Sequence, residues 1–240
     1  MARRRLPGIA LNPRQIADRL AGVPLIAVLA PEDRLTLAEH VRPRRFQSEQ
    51  PVFLQGDPGD EMFLLLDGSV RIVSESPSGR EVTLAVLGEG SFFGDMALLD
   101  GEPRSASAYA LEPCLSLALH RNDFNVFLDR TPRAARALLA FLSLRLRQAN
   151  SRIHDATLLT VRQRMAALLC DLARREGEPC PEGILLPRRV NHRVLAELLT
   201  ASRETVTRMA SEFRAEGLLQ QQGHQLVVLD LEGLRARMEE

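Results

Sequence analysis

Short apolar runs separated by turn residues fill the stretch from Pro43 to about Leu119. The runs read PVFLQ, MFLLLDGSVRIVS, EVTLAVLG and CLSLALH, and Gly, Pro, Asp and Ser recur between them roughly every 8 to 12 residues. This spacing is typical of a small antiparallel β-sandwich or barrel, and turns such as GDPGD supply the glycine that a positive φ favours. Just before it, PEDRLTLAEHV predicts a short helix that Pro and two acids open.

The pattern becomes helical after Thr131. One unbroken helix is predicted from Pro132, in its first turn, to a stop at Gly177. Apolar or small residues recur along it at alternating spacings of three and four, at Leu139, Leu142, Leu146, Ala149, Ile153, Ala156 and Thr160. This pattern fits a stripe packed on its own domain or the seam of a parallel dimer. We favour the dimer because the helix lies between two stretches that each resemble a complete domain.

Two further helices are predicted close together near the C-terminus. VNHRVLAELL contains Asn191 as its N-cap, and SRETVTRMASEFRAEG runs from Ser202 as N-cap to a stop at Gly217. Only TAS separates them, which is typical of a helix-turn-helix. LLQQQGHQLVVLD then predicts a β-hairpin, the wing of a winged helix domain.

The second of these helices has an apolar and a polar face. Its inner face is predicted to hold Val206, Met209, Ala210 and Phe213, and its outer face Glu204, Thr207, Arg208 and Ser211. On the outer face, Arg208 can donate two hydrogen bonds to guanine, and Glu204 can accept one from cytosine. Arg203 in the first turn can reach a base or a phosphate. The alternative is a solvated helix with an ordinary Glu204–Arg208 pair, and the preceding helix, short turn and wing favour DNA binding.

Composition is that of a folded protein with two modest domains. The 240 residues are 45% hydrophobic and 26% charged, with a formal net charge of zero. We expect a cytoplasmic protein, because no apolar run approaches about 18 residues and the start lacks the apolar segment of a secretory signal. The three cysteines, Cys114, Cys170 and Cys180, lack metal-binding spacing and predict neither a disulfide framework nor a zinc site.

One cation stands out in an acidic and apolar stretch. Arg104, in GDMALLDGEPRSASA, is the only Arg or Lys between Arg80 and Arg121. Gly94 lets the backbone approach a ligand closely, and DMALL can form a helical turn whose N–H groups point at an anion. Arg104 would add the counter-charge and Ser105 a hydroxyl donor. These residues together predict an anion site.

A carboxylate in the same stretch extends this prediction to a nucleotide. Asp95 would repel a bare phosphate but can accept a hydrogen bond from a sugar hydroxyl of the same ligand. The base would lie against the apolar side chains of Ile72, Leu84 and Leu87. The structural alternative is that Asp95 caps the short helix and Arg104 pairs with Asp95, Asp100 or Glu102.

Two motifs resemble those of a known family. FGDMALLDGEPRSASA resembles the phosphate-binding cassette of cyclic-nucleotide-binding domains, and SRETVTR resembles the recognition helix of the CRP/FNR family of bacterial transcription regulators. Order and spacing match from about Pro43 to Asp230. The resemblance implies an α+β fold with a jelly-roll-like β-roll, a long dimerisation helix and a winged helix-turn-helix. It further implies a homodimer on palindromic promoter DNA, RNA polymerase as a partner, and cAMP or cGMP as ligand.

The basic start of the chain predicts a loosely held N-terminal tail (1–23). The remaining domains, which agree with the resemblance, are a sensor (24–131), a dimerisation helix (132–158) and a DNA-binding domain (159–240). The resemblance also implies residue roles. Gly94, Asp95, Arg104 and Ser105 would hold phosphate and ribose, with Arg145 and Asn150 near the purine. The residues implied to contact DNA are Ser202, Arg203, Glu204, Thr207 and Arg208.

This chain departs from the family pattern at several positions. Asp95 replaces the usual Glu, and Ala149 cannot make the adenine contact of the cAMP receptor, whereas Asn150 can suit guanine or adenine. Thr200 stands where the family often has Gly, and a positive φ there would cost about 1 kcal/mol.

Other functions remain as alternatives. The same regulator could be gated by haem or redox chemistry, or act without a ligand. His40, His120 and His154 show no pairing along the chain, and the cysteines of an Fe–S branch are missing. A nucleotide-binding module that regulates a partner protein would lack a helix-turn-helix. No enzyme is expected, because no nucleophile with its base, no metal cluster and no P-loop is present.

Overall fold

The computed structural model describes residues 12–27, 29–76, 78–223 and 225–238, without the side chains of residues 24, 25, 148 and 151–157. The chain forms two compact units, Met1–Arg145 and Leu146–Glu240. Among the described helices, none has both the length and the apolar character that a membrane span requires.

The first unit contains helices around a strand-rich centre. Three helices come first, α1 (Pro13–Leu20), α2 (Pro24–Ala27) and α3 (Pro31–His40). The strands are β1 (Val41–Phe46), β2 (Pro51–Phe53), β3 (Glu61–Asp67), β4 (Val70–Glu75), β5 (Glu81–Leu87), β6 (Phe92–Phe93), β7 (Ser107–Ala110) and β8 (Cys114–His120). Helix α4 (Asp95–Asp100) lies between β6 and β7, and α5 (Arg121–Arg130) and α6 (Pro132–Leu158) follow β8.

The strands form two four-stranded antiparallel sheets, in the orders β1-β8-β3-β6 and β2-β7-β4-β5. Strand β3 explains why the run MFLLLD is apolar at every position but the last. Phe63 and Leu65 belong to the apolar cluster between the two sheets. Met62 and Leu64 belong to a second apolar cluster, which also contains residues of helices α1, α3 and α5. Because both faces of β3 are buried, its pattern is continuous and does not alternate. The predicted β domain is confirmed.

The predicted N-terminal tail (1–23) is wrong over its second half, and residues 1–11 lie outside the described residues. Helix α1 begins after Asn12, whose side chain accepts a hydrogen bond from the backbone N–H of Gln15. Ile16 and Leu20 are 3% and 1% exposed, and they pack into the cluster with the helices. Two apolar residues spaced by four suffice to anchor one face of a short helix.

The prediction of one unbroken helix to Gly177 is also wrong. Helix α6 ends at Leu158 and α7 (Val161–Glu176) begins after Thr160, which caps it. The Thr160 hydroxyl accepts from the Gln163 N–H, and the Gln163 side chain accepts from the Thr160 N–H, a capping box. Thr160, the last position of the predicted seam, therefore lies outside α6.

The seam positions on α6 differ in exposure. Leu139 and Leu146 are 65% and 63% exposed and Ala149 is exposed, whereas Leu142 packs partly against the first unit's own core. Ile153 and Ala156 belong to the side chains that are not described. The packing of Leu142 therefore fits a stripe that packs on its own domain, whereas the exposure of Leu139, Leu146 and Ala149 fits the seam of a dimer.

The second unit consists of helices and a small sheet. After α7 come β9 (Glu178–Cys180), β10 (Gly183–Leu185), α8 (His192–Leu199), α9 (Arg203–Ala215), β11 (Leu219–Gln222), β12 (Gln225–Val228) and α10 (Leu231–Ala236). The sheet order is β11-β12-β10-β9, with every pair antiparallel. The hairpin of β11 and β12 confirms the predicted wing, and β9 and β10 were not predicted.

The helix-turn-helix has the predicted caps and faces. Asn191 accepts from the N–H groups of Arg193 and Val194, and Ser202 accepts from the N–H of Thr205. The four predicted inner residues of α9 are at most 4% exposed, and they are Val206, Met209, Ala210 and Phe213. The four predicted outer residues are exposed, and they are Glu204, Thr207, Arg208 and Ser211.

The turn between α8 and α9 has a left-handed residue that is not glycine. Thr200 has φ 51° and ψ 44° and ends α8. The sequence left the sign of φ at this position open, and the structure shows that it is positive, where a β-branched side chain is disfavoured.

Thr200→Asn should stabilise the protein, because Asn tolerates the left-handed region better than Thr. We expect a gain of about 1 kcal/mol in the free energy of unfolding of the second unit, measured by chemical denaturation. Thr207→Asn makes the same change at a helical position and should give no gain. Equal effects of the two substitutions would contradict a conformational cost at Thr200.

Candidate functional site

The predicted cassette begins where β6 turns into α4. Gly94 makes this turn with φ 77°, in the left-handed region. A Cβ on Gly94 would lie 2.7 Å from Nη1 of Arg104 and 3.2 Å from the ring of Phe53. Glycine is therefore required here both by the backbone angle and by the close approach of a guanidinium.

Arg104 is buried and held by backbone carbonyls. It is 5% exposed, Nη1 donates to the carbonyl of Gly94 at 2.8 Å, and Nη2 donates to the carbonyl of Glu61 at 2.6 Å. The guanidinium carbon lies 4.1 Å from the centroid of the Phe53 ring. Its Nε is buried without a hydrogen-bond partner among the residues that the structure describes. One donor of this cation is thus left unused by the described part of the chain.

The alternative in which Arg104 pairs with a cassette carboxylate is wrong. Asp95 contacts a different arginine, and the Asp100 carboxylate accepts from the N–H of Glu102 at 3.0 Å. Burial lowers the pKa of Arg104, and the carboxylates of Asp60, Glu61 and Asp57 oppose this shift from a distance. Arg104 therefore sits in an acidic surrounding without a direct ion pair within the described residues.

Asp95 is bound by Arg145 of α6. Nη1 of Arg145 lies 3.0 Å from both carboxylate oxygens, and Nη2 donates to the carbonyl of Phe92 at 2.8 Å. The guanidinium carbon is 5.0 Å from the Phe92 ring and 4.6 Å from the Phe141 ring. Asp95 is 2% exposed. The side chain predicted near a purine thus neutralises the carboxylate predicted near a ribose, and Asp95 makes no side-chain cap of α4.

The remaining predicted ligand residues are less closely gathered. Ser105 is exposed, with its hydroxyl 3.6 Å from the Met96 sulfur. Ile72 and Leu87 pack partly against the cluster between the sheets, and Leu84 is 44% exposed. Asn150 is exposed on α6 and belongs to the second unit. The structure brings Gly94 and Arg104 together, and Asp95 and Arg145.

Sequence reasoning missed the groups that position Arg104. These are the Phe53 ring, the Glu61 carbonyl and Gly59, whose Cβ would lie 2.4 Å from the Cβ of Ala97 and 2.9 Å from Nε of Arg104. Gly59 lies in GDPGD, which the sequence identifies only as a turn. Gly59 is not among the glycines with a positive φ, so the close contacts and not the backbone angle require glycine there, and only the structure reveals them.

The exposed face of α9 carries the predicted DNA contacts. Ser202 caps the helix, and Arg203 and Glu204 are exposed in its first turn. The side chain of Arg208 is 73% exposed and its Nε lies 3.9 Å from Oε1 of Glu212, so Arg208 pairs with Glu212 and not with Glu204, as the alternative would have it. The Thr207 hydroxyl lies 3.3 Å from Nδ1 of His192 on α8.

The histidines considered for haem have structural partners where they are described. His40 lies 3.2 Å from Asp123, and His120 accepts from the N–H of Asn122 at the start of α5. The His154 side chain is not described. Within the described residues, His, Cys, Asp and Glu form no group of three or more that could hold a metal ion.

Two family descriptions match the chain. Residues 43–131 match "Cyclic nucleotide-binding domain", and residues 163–237 match "Crp-like helix-turn-helix domain". The first match contains the whole cassette, and the second contains both helices of the helix-turn-helix.

Proteins similar in sequence and structure are transcription regulators or receptors by name. The chain is 36% identical to the "Cyclic AMP receptor protein" of Thermus thermophilus, over 83% of this chain and 89% of that protein. It is 28% identical to the "CRP-like cAMP-activated global transcriptional regulator" of Mycobacterium tuberculosis, over 91% and 97%. The c-di-GMP responsive global regulator CLP of Xanthomonas campestris has a similar structure, with a TM-score of 0.68, 27% identity and coverage of 84% and 100%.

Gly59→Ala should destabilise the first unit, because its Cβ would meet Ala97 and Arg104 at distances that side chains do not adopt. We expect a loss of about 1–3 kcal/mol in the free energy of unfolding, measured by chemical denaturation. Gly22→Ala is the matched control, since its Cβ would meet only a carbonyl oxygen at 3.5 Å. A Gly59→Ala protein as stable as Gly22→Ala would show that the cassette is loosely packed.

Proposed function

This chain belongs to the CRP/FNR family of transcription regulators, and we propose that it binds palindromic promoter DNA as a homodimer under the control of a cyclic nucleotide in the β-roll. Binding of DNA through the helix-turn-helix is common to the family. The ligand, the dimer and the form of the DNA site are what we propose. The observation that carries the ligand is a buried Arg104 with no ion-pair partner among the described residues.

A bound phosphate would supply the counter-charge that no described residue provides to Arg104 by direct contact. Its two Nη atoms are held by carbonyls, which are neutral, and its Nε is unused by the described residues. Burying a cation without a counter-charge is costly, so an anion near the guanidinium would relieve that cost. Gly94 and Gly59 let the backbone lie directly against this guanidinium, since a Cβ on either would come within 2.7 and 2.9 Å of its nitrogen atoms.

The surrounding acids favour an anion with one charge. Asp57, Asp60 and Glu61 all act on Arg104 through their negative charge. They would repel a dianionic phosphate monoester more strongly than a phosphodiester, which carries a single charge. The pairing of Asp95 with Arg145 removes a further source of repulsion. A cyclic phosphodiester is therefore the nucleotide form that we favour.

The Asp95–Arg145 pair would couple the ligand to the long helix. A ribose hydroxyl that donates to Asp95 would have to share or displace Arg145, which lies on α6. Occupancy would thereby alter how α6 is held in the first unit, and a ligand shifts such an equilibrium only by binding one state better. We propose cAMP or cGMP as the ligand. The names of the similar proteins include both cAMP and c-di-GMP, and Asn150 can suit guanine or adenine.

The exposed leucines of α6 support the dimer. Leu139 and Leu146 lie one heptad apart and are both about two-thirds exposed. Burying large apolar side chains of this kind against a second copy is favourable. A homodimer would present two recognition helices to two half-sites about 34 Å apart. We include RNA polymerase as a partner of the bound dimer on the basis of family membership.

A regulator that acts without a ligand is the second candidate. Asp95 already has its counter-ion in Arg145, and both Nη atoms of Arg104 already have acceptors. The cassette is thus largely satisfied by the protein itself. Ligand-dependent DNA binding distinguishes the two candidates.

Arg104→Gln should abolish nucleotide binding, because Gln can still donate to a carbonyl but brings no positive charge. Isothermal titration calorimetry of the full chain with cAMP, cGMP and c-di-GMP would measure this, with sedimentation to verify dimerisation. Arg121→Gln is the matched control, since Arg121 also donates to a carbonyl, that of Gly59 at 2.8 Å, and lies near Asp60. Unchanged affinity in Arg104→Gln would reject the site, and no binding by the unmodified protein would favour the ligand-free candidate.

Glu204→Ala should relax base preference at one position in each half-site while most of the affinity is kept. The reason is that a carboxylate facing DNA selects a cytosine amino group but makes no favourable contact with phosphates. Sequences enriched from a random duplex pool would be compared between the unmodified protein and this variant. Glu212→Ala changes a carboxylate two turns further along α9 and serves as control. An identical set of enriched sequences would contradict base reading by Glu204.

A further inference from the structure

A cleft in the second unit lies between α8, α9 and the wing. It has a volume of about 220 Å³, and it is lined by Val190, Asn191, His192, Arg193, Arg203, Gln221 and Leu226. Two arginines on its walls, Arg193 and Arg203, make it cationic. Arg193 also lies 3.2 Å from Glu197, an i,i+4 pair, whereas no ion pair of Arg203 is found among the described residues. The cleft therefore has positive charge available for an anion.

His192 has one ring nitrogen in use and one without a partner. Nδ1 lies 3.3 Å from the hydroxyl of Thr207 on α9. Nε2 is buried and has no hydrogen-bond partner among the residues that the structure describes. A buried polar nitrogen of this kind is costly unless a ligand or water completes it. The ring thus has one nitrogen whose hydrogen-bonding capacity the described residues leave unused.

The surroundings of His192 disfavour protonation of its ring in the free protein. Burial lowers its pKa first, and the positive charges of Arg214 and Arg203 on α9 lower it further. Arg193 on its own helix adds a third cation at the cleft, and Glu197 is the carboxylate that pairs with it. Gln221 of β11 faces the cleft with an uncharged side chain. The charges around His192 are thus mainly positive.

We propose that this cleft is a proton-linked site for a phosphate of the DNA backbone, in which His192 takes up a proton when the phosphate enters beside Arg203. The proposal rests on the proposed DNA binding and adds a regulation of it by pH. A phosphate reverses the sign of the local charge, so that the imidazolium becomes favourable and can donate a charge-assisted hydrogen bond. Helix α8, which begins at His192, would then be held against the DNA backbone next to α9.

The sign of the pH effect follows from linkage. DNA raises the pKa of His192 from its lowered value in the free protein, so binding takes up a proton. Affinity for DNA is then highest at pH values below the free-protein pKa. It falls as the pH rises through the interval between the two pKa values, and it is constant above the pKa of the bound state. Each unit by which DNA raises the pKa corresponds to about a tenfold change in affinity.

The test uses the full chain and a duplex enriched from a random pool. Fluorescence anisotropy at constant ionic strength between pH 5.5 and 8.5 would measure affinity, under whichever of no nucleotide, cAMP or cGMP gives the tightest binding. We expect an affinity for the unmodified protein that falls several-fold across this range. His192→Gln should remove this fall, and His192→Arg should bind tightly with a flat profile because its charge is permanent. His40→Gln, in the first unit, should keep the parent profile.

A second measurement does not depend on substitution of the cleft. NMR titration of the histidine ring signals in the unmodified protein, with and without the duplex, should show a pKa of His192 that DNA raises. Equal pH profiles of the unmodified protein and His192→Gln, or a His192 titration that DNA leaves unchanged, would overturn the proton link while DNA binding stands. Failure to enrich any duplex would overturn the proposed function and this inference together.

Discussion

A buried guanidinium without a direct counter-ion among the described residues is the constraint on which the first unit's cassette depends. Arg104 is 5% exposed and donates to two carbonyls from different parts of the chain, Gly94 beside α4 and Glu61 at the start of β3. A Cβ on either of the adjacent glycines, Gly94 or Gly59, would collide with its guanidinium. The cation therefore joins the segments of the cassette, and its unmatched charge is the feature that we connect to a ligand.

The two arginines of this region have different surroundings. Arg104 is held by neutral carbonyls under the influence of distant acids, whereas Arg145 contacts the Asp95 carboxylate directly. Arg145 also lies over the rings of Phe92 and Phe141, which favour a cation. A ligand with a phosphate beside Arg104 and a hydroxyl beside Asp95 would therefore change the contacts of both arginines.

The second unit holds its recognition helix at both ends and leaves one face open. Ser202 caps the start of α9, and Glu216, just past its end, accepts from Arg162 of α7 and from Arg237 after α10. These two arginines lower the pKa of Glu216, so the carboxylate stays charged. Phe213 and the rest of the inner face are buried in the core of the unit. Core packing and these contacts thus hold α9 with its outer face exposed, next to the cleft that contains His192.

Features that depend on neighbours along the chain were determined by the sequence alone. The caps of α8 and α9, the inner face of α9 and the wing all follow from residues within a few positions of each other. The partners of Arg104 and Asp95 were decided only by the tertiary structure. Those contacts join residues 43 and 50 positions apart, and many carboxylates and carbonyls could have served equally well. Which one lies within reach depends on how the sheets and α6 pack, since hydrogen bonds require contact and local patterns do not specify it.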